Sequence, residues 1–193
     1  GNNVDCRGTV YLYGTNLHVL TGNGTVDYTS SLNVSSLLLD SNWHHIAVTF
    51  IDGEIKVFID GSLEQTNTSS NIKIAESTTD LFIGSMGSFW KLTNSFIDEV
   101  AIFDRQLLNT EIASIYNNGK PTSLASHSPA QWWRLGDTGY ATTTASNSTL
   151  TYPNEISGQP DSVTGSNASM QPSINADAPK VVAPGVSSGL VEL

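Results

Sequence analysis

Charge is scarce in this chain, and positive charge scarcest: of 193 residues 8 are Lys or Arg against 18 Asp or Glu, a formal net charge of −10. A field of that sign repels phosphate backbones, and no Lys/Arg cluster overrides it locally, so nucleic acid is not an expected partner. Cysteine is nearly absent too. Cys6 stands alone, which excludes an intrachain disulfide and a zinc site built on Cys pairs and leaves packing to hold the fold. No run of about 18 apolar residues occurs, so no membrane span is expected. No signal-peptide pattern is visible either, and the chain opens GNNVDCRG without an initiator Met, as a processed or trimmed piece of a longer protein would.

What remains is a globular composition, 38% hydrophobic and 13% charged, whose surface must be Ser, Thr and Asn. Such a surface suits extracellular or particle-bound proteins. Residues 1–105 read as closely spaced strands: Val10–Tyr13, Leu17–Leu20, Thr25–Tyr28 and Leu37–Leu39, punctuated by Gly14, Gly22-Asn23-Gly24 and Asp40-Ser41-Asn42. The sharpest local signal is WHHIAVTFIDGEIKVFIDG, residues 43–61. Asp52-Gly53 predicts a type I′ hairpin tip, with both central residues at positive φ. The register then places Phe50 opposite Ile55, Val48 opposite Val57 and Ile46 opposite Ile59, all on one face. The other face pairs Thr49 with Lys56, Ala47 with Phe58 and His45 with Asp60.

Leu81–Gly84 and Phe96–Phe103 are further predicted strands, the second with Phe96, Asp98, Val100 and Ile102 on one face. Asn109 reads as the N-cap of a short helix near 109–118, with Glu111 in its first turn and an apolar stripe of Leu108, Ile112, Ile115 and Tyr116. Gly119 sits where a C′ glycine belongs, and Pro121 ends the helix. The composition changes after Pro121: a linker, the aromatic strand Trp132–Leu135, a Thr/Ser/Asn tract, and a Pro/Ala/Ser-rich tail from Gln171 that reads as an extended arm.

Two stretches resemble a known family. SNWHHIAVTFIDGEIKVFIDG resembles the laminin G-like pattern of Trp-His-His, apolar strand, Gly turn, and strand ending in Asp-Gly. FIDEVAIFDRQLLNTEIASIYNNGKP resembles the same family's closing strand and helix. The resemblance implies an all-β, two-sheet antiparallel jelly-roll sandwich of the concanavalin A-like type. It divides the chain into a sandwich over residues 1–121, whose opening strands are missing or supplied elsewhere, and a C-terminal segment over 122–193. In that segment PAQWWRLGD is similar to the opening of such a domain, so a start-like strand over 131–137 follows an end-like one. The Trp-Trp-Arg-x-Gly-Asp element combined with laminin G-like pieces is also similar to structural proteins of marine tailed bacteriophages. An open sandwich leaves unpaired edges, which native proteins cover. Residues 130–170 are therefore expected to complete a sheet by strand addition, by default within their own chain, otherwise across to a neighbour. Trp132 and Trp133 are the interface or strand-completing residues.

Jelly-roll glycosidases, which the resemblance brings to mind, carry two glutamates on one strand face about 5 Å apart. No Glu in this chain begins such a motif, and Asp98-Glu99 are adjacent on opposite faces, so no enzyme activity and no catalytic residues are expected. His44 and His45 alternate in direction and do not share a metal; His45 with Asp60 is expected as a structural pair. Phe89 and Trp90, in SMGSFWKL, are the expected ligand-stacking aromatics. No cofactor is required; Ca²⁺, a common ligand of the family, is the one left open, with Asp40, Asp52, Asp60, Asp80 and Asp104 near strand ends as candidate oxygen donors and the metal site unassigned. The leading expectation is a non-enzymatic virion module, a phage capsid decoration or tail appendage that contacts other structural subunits as a homo-oligomer or with capsid or tail proteins, and also surface glycan. The alternative is an extracellular or cell-surface carbohydrate-binding adhesin module.

Overall fold

The computed structural model describes residues 8–22, 25–73, 81–86, 90–91, 96–135, 142–143, 150–152, 154–159 and 162–163. They divide into two compact units, one drawn from residues 1–82 and 106–119, the other from 83–105 and 120–193. This division crosses the boundary drawn after residue 121: residues 83–105 group with the C-terminal segment, and the helix groups with the N-terminal strands.

The first unit contains two three-stranded antiparallel sheets. One is a meander of β1 (Thr9–Tyr13), β2 (Asn16–Gly22) and β3 (Asp27–Asn33); the other runs β4 (Ile46–Ile51), β5 (Glu54–Ile59) and β6 (Ser62–Thr68). The β4–β5 register is the expected one, with Phe50 opposite Ile55, Val48 opposite Val57 and Ile46 opposite Ile59. The turn type is not. At the Asp52-Gly53 tip only Gly53 takes positive φ, at 87°, whereas Asp60-Gly61, joining β5 to β6, has both central residues positive, at 49° and 76°. Two strand assignments also change. Thr25–Tyr28 shifts into β3, and Leu37–Leu39 is no strand, because the amides of Leu37 and Leu38 both turn back to the Val34 carbonyl.

The core lies between the two sheets. Leu17, Val19 and Val34 pack with Ile55, Val57, Ile59 and Ile72, with Val48, Phe50, Tyr28 and Leu32 at the margin. One border of this layer is polar: Ser30 of β3 donates to Gln65 Oε1 of β6 at 3.1 Å and accepts from Asn67 Nδ2 at 2.7 Å. These bonds satisfy groups that burial would otherwise penalise and tie the two sheets together. Ile46, expected in the core, is 39% exposed at the end of its strand.

The second face of β4–β5 is covered as well. Phe58 is 1% exposed and Thr49 7%. Helix α1 (Asn109–Tyr116) lies against β6, and Tyr116 sits so close over Gly61 that a Cβ there would lie 2.9 Å from Tyr116 Cδ1. The helix differs from expectation at both ends. Its N-cap is Leu108, not Asn109, and the Leu108 amide donates to the Glu111 carboxylate at 2.8 Å. Leu108 is thereby 66% exposed and leaves the apolar stripe, which Ile112 anchors from full burial. The helix stops at Tyr116 because Asn117 and Asn118, not Gly119 alone, take left-handed backbone.

The second unit consists of short strands: β7 (Ser85–Met86) with β8 (Trp90–Lys91), β9 (Val100–Ile102) with β10 (Gln131–Trp133), and β11 (Thr142–Thr143), β12 (Leu150–Tyr152) and β13 (Ser162–Val163) in one sheet. Leu81–Gly84 precedes a strand and is not one. Phe96–Phe103 shrinks to three residues because Glu99 adopts φ 51°, which breaks the extended alternation. The start-like strand pairs within its own chain, Trp132 opposite Ala101 and Trp133 opposite Val100. The expected tail from Gln171 lies outside the described residues.

Candidate functional site

Three places in the described residues gather side chains with binding or acid–base chemistry. The first surrounds β10. Trp132 and Trp133 are 5% and 3% exposed, so the strand is covered on both faces. Trp132 Nε1 donates to Glu99 Oε2 at 2.7 Å, and Arg134 lies 3.4 Å from the other carboxylate oxygen with its guanidinium 5.8 Å from the Trp132 ring centroid. The Trp132 amide donates to Asn154 Oδ1 at 3.1 Å, and its carbonyl accepts from the Glu155 amide at 2.8 Å. Glu99 is thus committed to a partly buried cation and an indole. These contacts account for a non-glycine residue held at positive φ.

The second place joins the loop before β4 to the β5–β6 turn. The residue whose ring meets Asp60 is His44, not His45: His44 Nδ1 lies 2.8 Å from Asp60 Oδ2 and Nε2 lies 2.8 Å from Asp40 Oδ1. His45 meets Asp60 through its backbone, its amide donating to Asp60 Oδ1 at 2.9 Å and its carbonyl accepting from the Asp60 amide at 2.9 Å. The His45 ring is turned inward, 6.0 Å from the Tyr116 ring, and burial pushes its pKa down against the pull of the Asp60 charge. Burial also opposes charge on His44, but the hydrogen bonds to Asp40 and Asp60 outweigh it and leave the pKa above the ordinary 6.5. Asp40 is held well below the usual carboxylate range by hydrogen bonds from His44 and from the Asn42 amide and side chain.

The third place is the outward face of β1–β2–β3. Leu17, Val19 and Ser30 point inward, so the alternate residues point outward. The register arranges them in three cross-strand rows: Thr9, Leu20 and Thr29; Tyr11, His18 and Ser31; Tyr13, Asn16 and Asn33. Tyr11 and His18 stack with ring centroids 4.9 Å apart and planes at 16°, and Tyr13 at the row's end is 65% exposed. None of the nine side chains is Asp, Glu, Lys or Arg. The first charge, Asp27, stands one row further on, opposite Gly22, with its carboxylate filling the space a Gly22 side chain would need. An apolar ring beside hydroxyls and amides can stack on the C–H face of a sugar and bond its hydroxyls.

The remaining expected site residues fall elsewhere. Phe89 and Asp80 lie outside the described residues, and Trp90 falls in β8. Asp52 pairs with Lys73 at 2.7 Å, and Asp104 is exposed. Among the described residues, no group of three or more His, Cys, Asp or Glu is placed to hold a metal ion.

The family model of the concanavalin A-like lectin/glucanases superfamily (Laminin_G_3) matches residues 7–113, more than half of the chain. Among solved structures, the chain is similar to an S-layer domain-containing protein from Clostridium thermocellum, with 17% identity and a TM-score of 0.35 over 57% of this chain and 64% of that one. It therefore spans less than two thirds of that relative. No curated protein matches the sequence.

Proposed function

Because the chain belongs to the concanavalin A-like lectin/glucanases superfamily, we propose that it is a non-enzymatic, surface-located carbohydrate-binding module whose ligand lies on the outward face of β1–β2–β3. The observation that carries this reading is the aromatic and amide grid of that face, free of acidic and of Lys or Arg side chains, with the Tyr11–His18 stack at its centre and the exposed Tyr13 beside it. Stacking rewards the apolar face of a pyranose, and Asn16, Ser31 and the two threonines offer donors and acceptors at its edge, while Asn33 is held by Ser35 and Thr15. A face without cations, on a chain of net charge −10, favours neutral glycans over uronates or sulfated sugars. No carboxylate stands in the three rows to protonate a leaving oxygen, which supports a ligand that is held and not cleaved.

Titration calorimetry with soluble neutral oligosaccharides tests the reading. Tyr13→Ala and Asn16→Ala are each expected to weaken binding by about tenfold, equivalent to ~1.4 kcal/mol, with no release of reducing ends on prolonged incubation. Absence of binding across a glycan array, or binding untouched by both substitutions, refutes it. The superfamily match, named for lectins and glucanases, supports the extracellular or cell-surface reading better than the particle-bound one.

A further inference from the structure

The bridge Asp40–His44–Asp60 has a proton count set by its geometry. Each ring nitrogen of His44 faces a carboxylate oxygen at 2.8 Å, and an ionised carboxylate only accepts. Both nitrogens must therefore carry protons, which only the imidazolium does. A neutral ring keeps one bond and turns a lone pair toward the second carboxylate at the same distance, a contact that repels.

The two carboxylates are not equally anchored. Asp60 is fixed in the β5–β6 turn by the paired backbone bonds to His45. Asp40 is 49% exposed and belongs to the loop leading to β4, held besides His44 by bonds from its own neighbour Asn42. Deprotonation therefore releases the Asp40 side. We propose that His44 is a proton-operated latch: protonated, it fastens Asp40 and its loop to the β5–β6 turn, and neutral, it lets go of Asp40, a change that the nearby half-exposed indole of Trp43 can report.

The groups around the ring agree with this direction. Asp40 and Asp60 are the carboxylates on the two sides. His45, the adjoining titratable group, is held toward its neutral form by burial beside Tyr116 and adds no competing charge. Ser41 and Asn42 are uncharged. The latch works within the first unit and stands independently of the sugar-binding face.

The test uses the whole chain labelled with 5-fluorotryptophan, with the Trp43 resonance assigned by Trp43→Phe, and the His44 ring followed by 1H–15N correlation. Between about pH 5 and 9, His44 is expected to titrate with a midpoint above ~6.5, and the Trp43 resonance to move through the same midpoint. Asp40→Asn, at an exposed loop position, should lower the midpoint and hold the Trp43 resonance near its high-pH position across the range. His44→Gln should make the Trp43 signal independent of pH. A midpoint at or below the ordinary value, a Trp43 signal that ignores pH in the unmodified chain, or a midpoint unmoved by Asp40→Asn overturns the latch.

Discussion

Hairpins β1–β2 and β4–β5 follow the same local plan, two alternating strands around a glycine turn, yet they put their second faces to opposite uses. The outward face of β4–β5 is roofed: Phe58 and Thr49 are buried there and Tyr116 closes over Gly61. The outward face of β1–β2 presents Tyr11, Tyr13 and His18 in a row structure with Asn, Ser and Thr. Burial on both faces makes a hairpin a structural beam, and burial on one leaves it a working surface. Substitutions should accordingly cost stability in β4–β5 and affinity in β1–β2.

The sharpest way to break this contrast is Phe58→Ala. Removing a ring that is 1% exposed should cost about 3–5 kcal/mol in denaturant unfolding; a cost below ~1 kcal/mol would mean that the roof is loose. Val57→Ala, on the inner face of the same strand, should cost about 1–3 kcal/mol. Gly61→Ala tests the closure from the other side. Its φ of 76° and the Tyr116 contact should together cost about 1–3 kcal/mol, and Tyr116→Ala in the same chain should relieve the steric part while leaving the backbone part. Tyr13→Ala belongs to the working face. It should change unfolding by less than about 0.5 kcal/mol while weakening glycan binding about tenfold.

The smallest effect concerns pH. Because the folded pKa of His44 is raised, its contribution to stability is complete below the unfolded value of 6.5 and is lost as pH rises through the folded one. Asp40 is depressed, so its share is present above its unfolded value of 3.8 and is lost only as pH falls toward strong acid. The bridge is thus complete between these two limits. Thermal unfolding monitored against pH should show a decline on the alkaline side that His44→Gln flattens.

The β4–β5 register was legible because a turn dipeptide and an apolar alternation agree on one alignment. The same reasoning applied to Tyr13-Gly14-Thr15-Asn16 would have set Tyr11 against His18, but a strand begun at Leu17 hides the row, and loop tryptophans draw attention away from it. The exchange of His45 for His44 has a simple cause: residues 43–45 precede β4, so strand alternation does not govern where their rings point. Asp52 at the tip was assigned positive φ by its dipeptide, although its backbone does not take it. The left-handed Glu99 left no local trace, since its conformation accompanies bonds to Trp132 and Arg134 more than thirty positions along the chain. Alternation puts Trp132 and Trp133 on opposite faces of β10, one for a core and one for a partner, and both are buried.

Strand β9 is made early and partnered late. Ile102 pairs with Gln131, and the chain between them first delivers its helix to the other unit. During synthesis at about 5–20 residues per second, β9 therefore waits a few seconds for β10 to emerge. Over that interval its backbone donors and acceptors form an open edge that another nascent chain can occupy. A pause engineered between codons 103 and 130 lengthens the wait without altering a single residue, and the yield of soluble protein then reports on time alone.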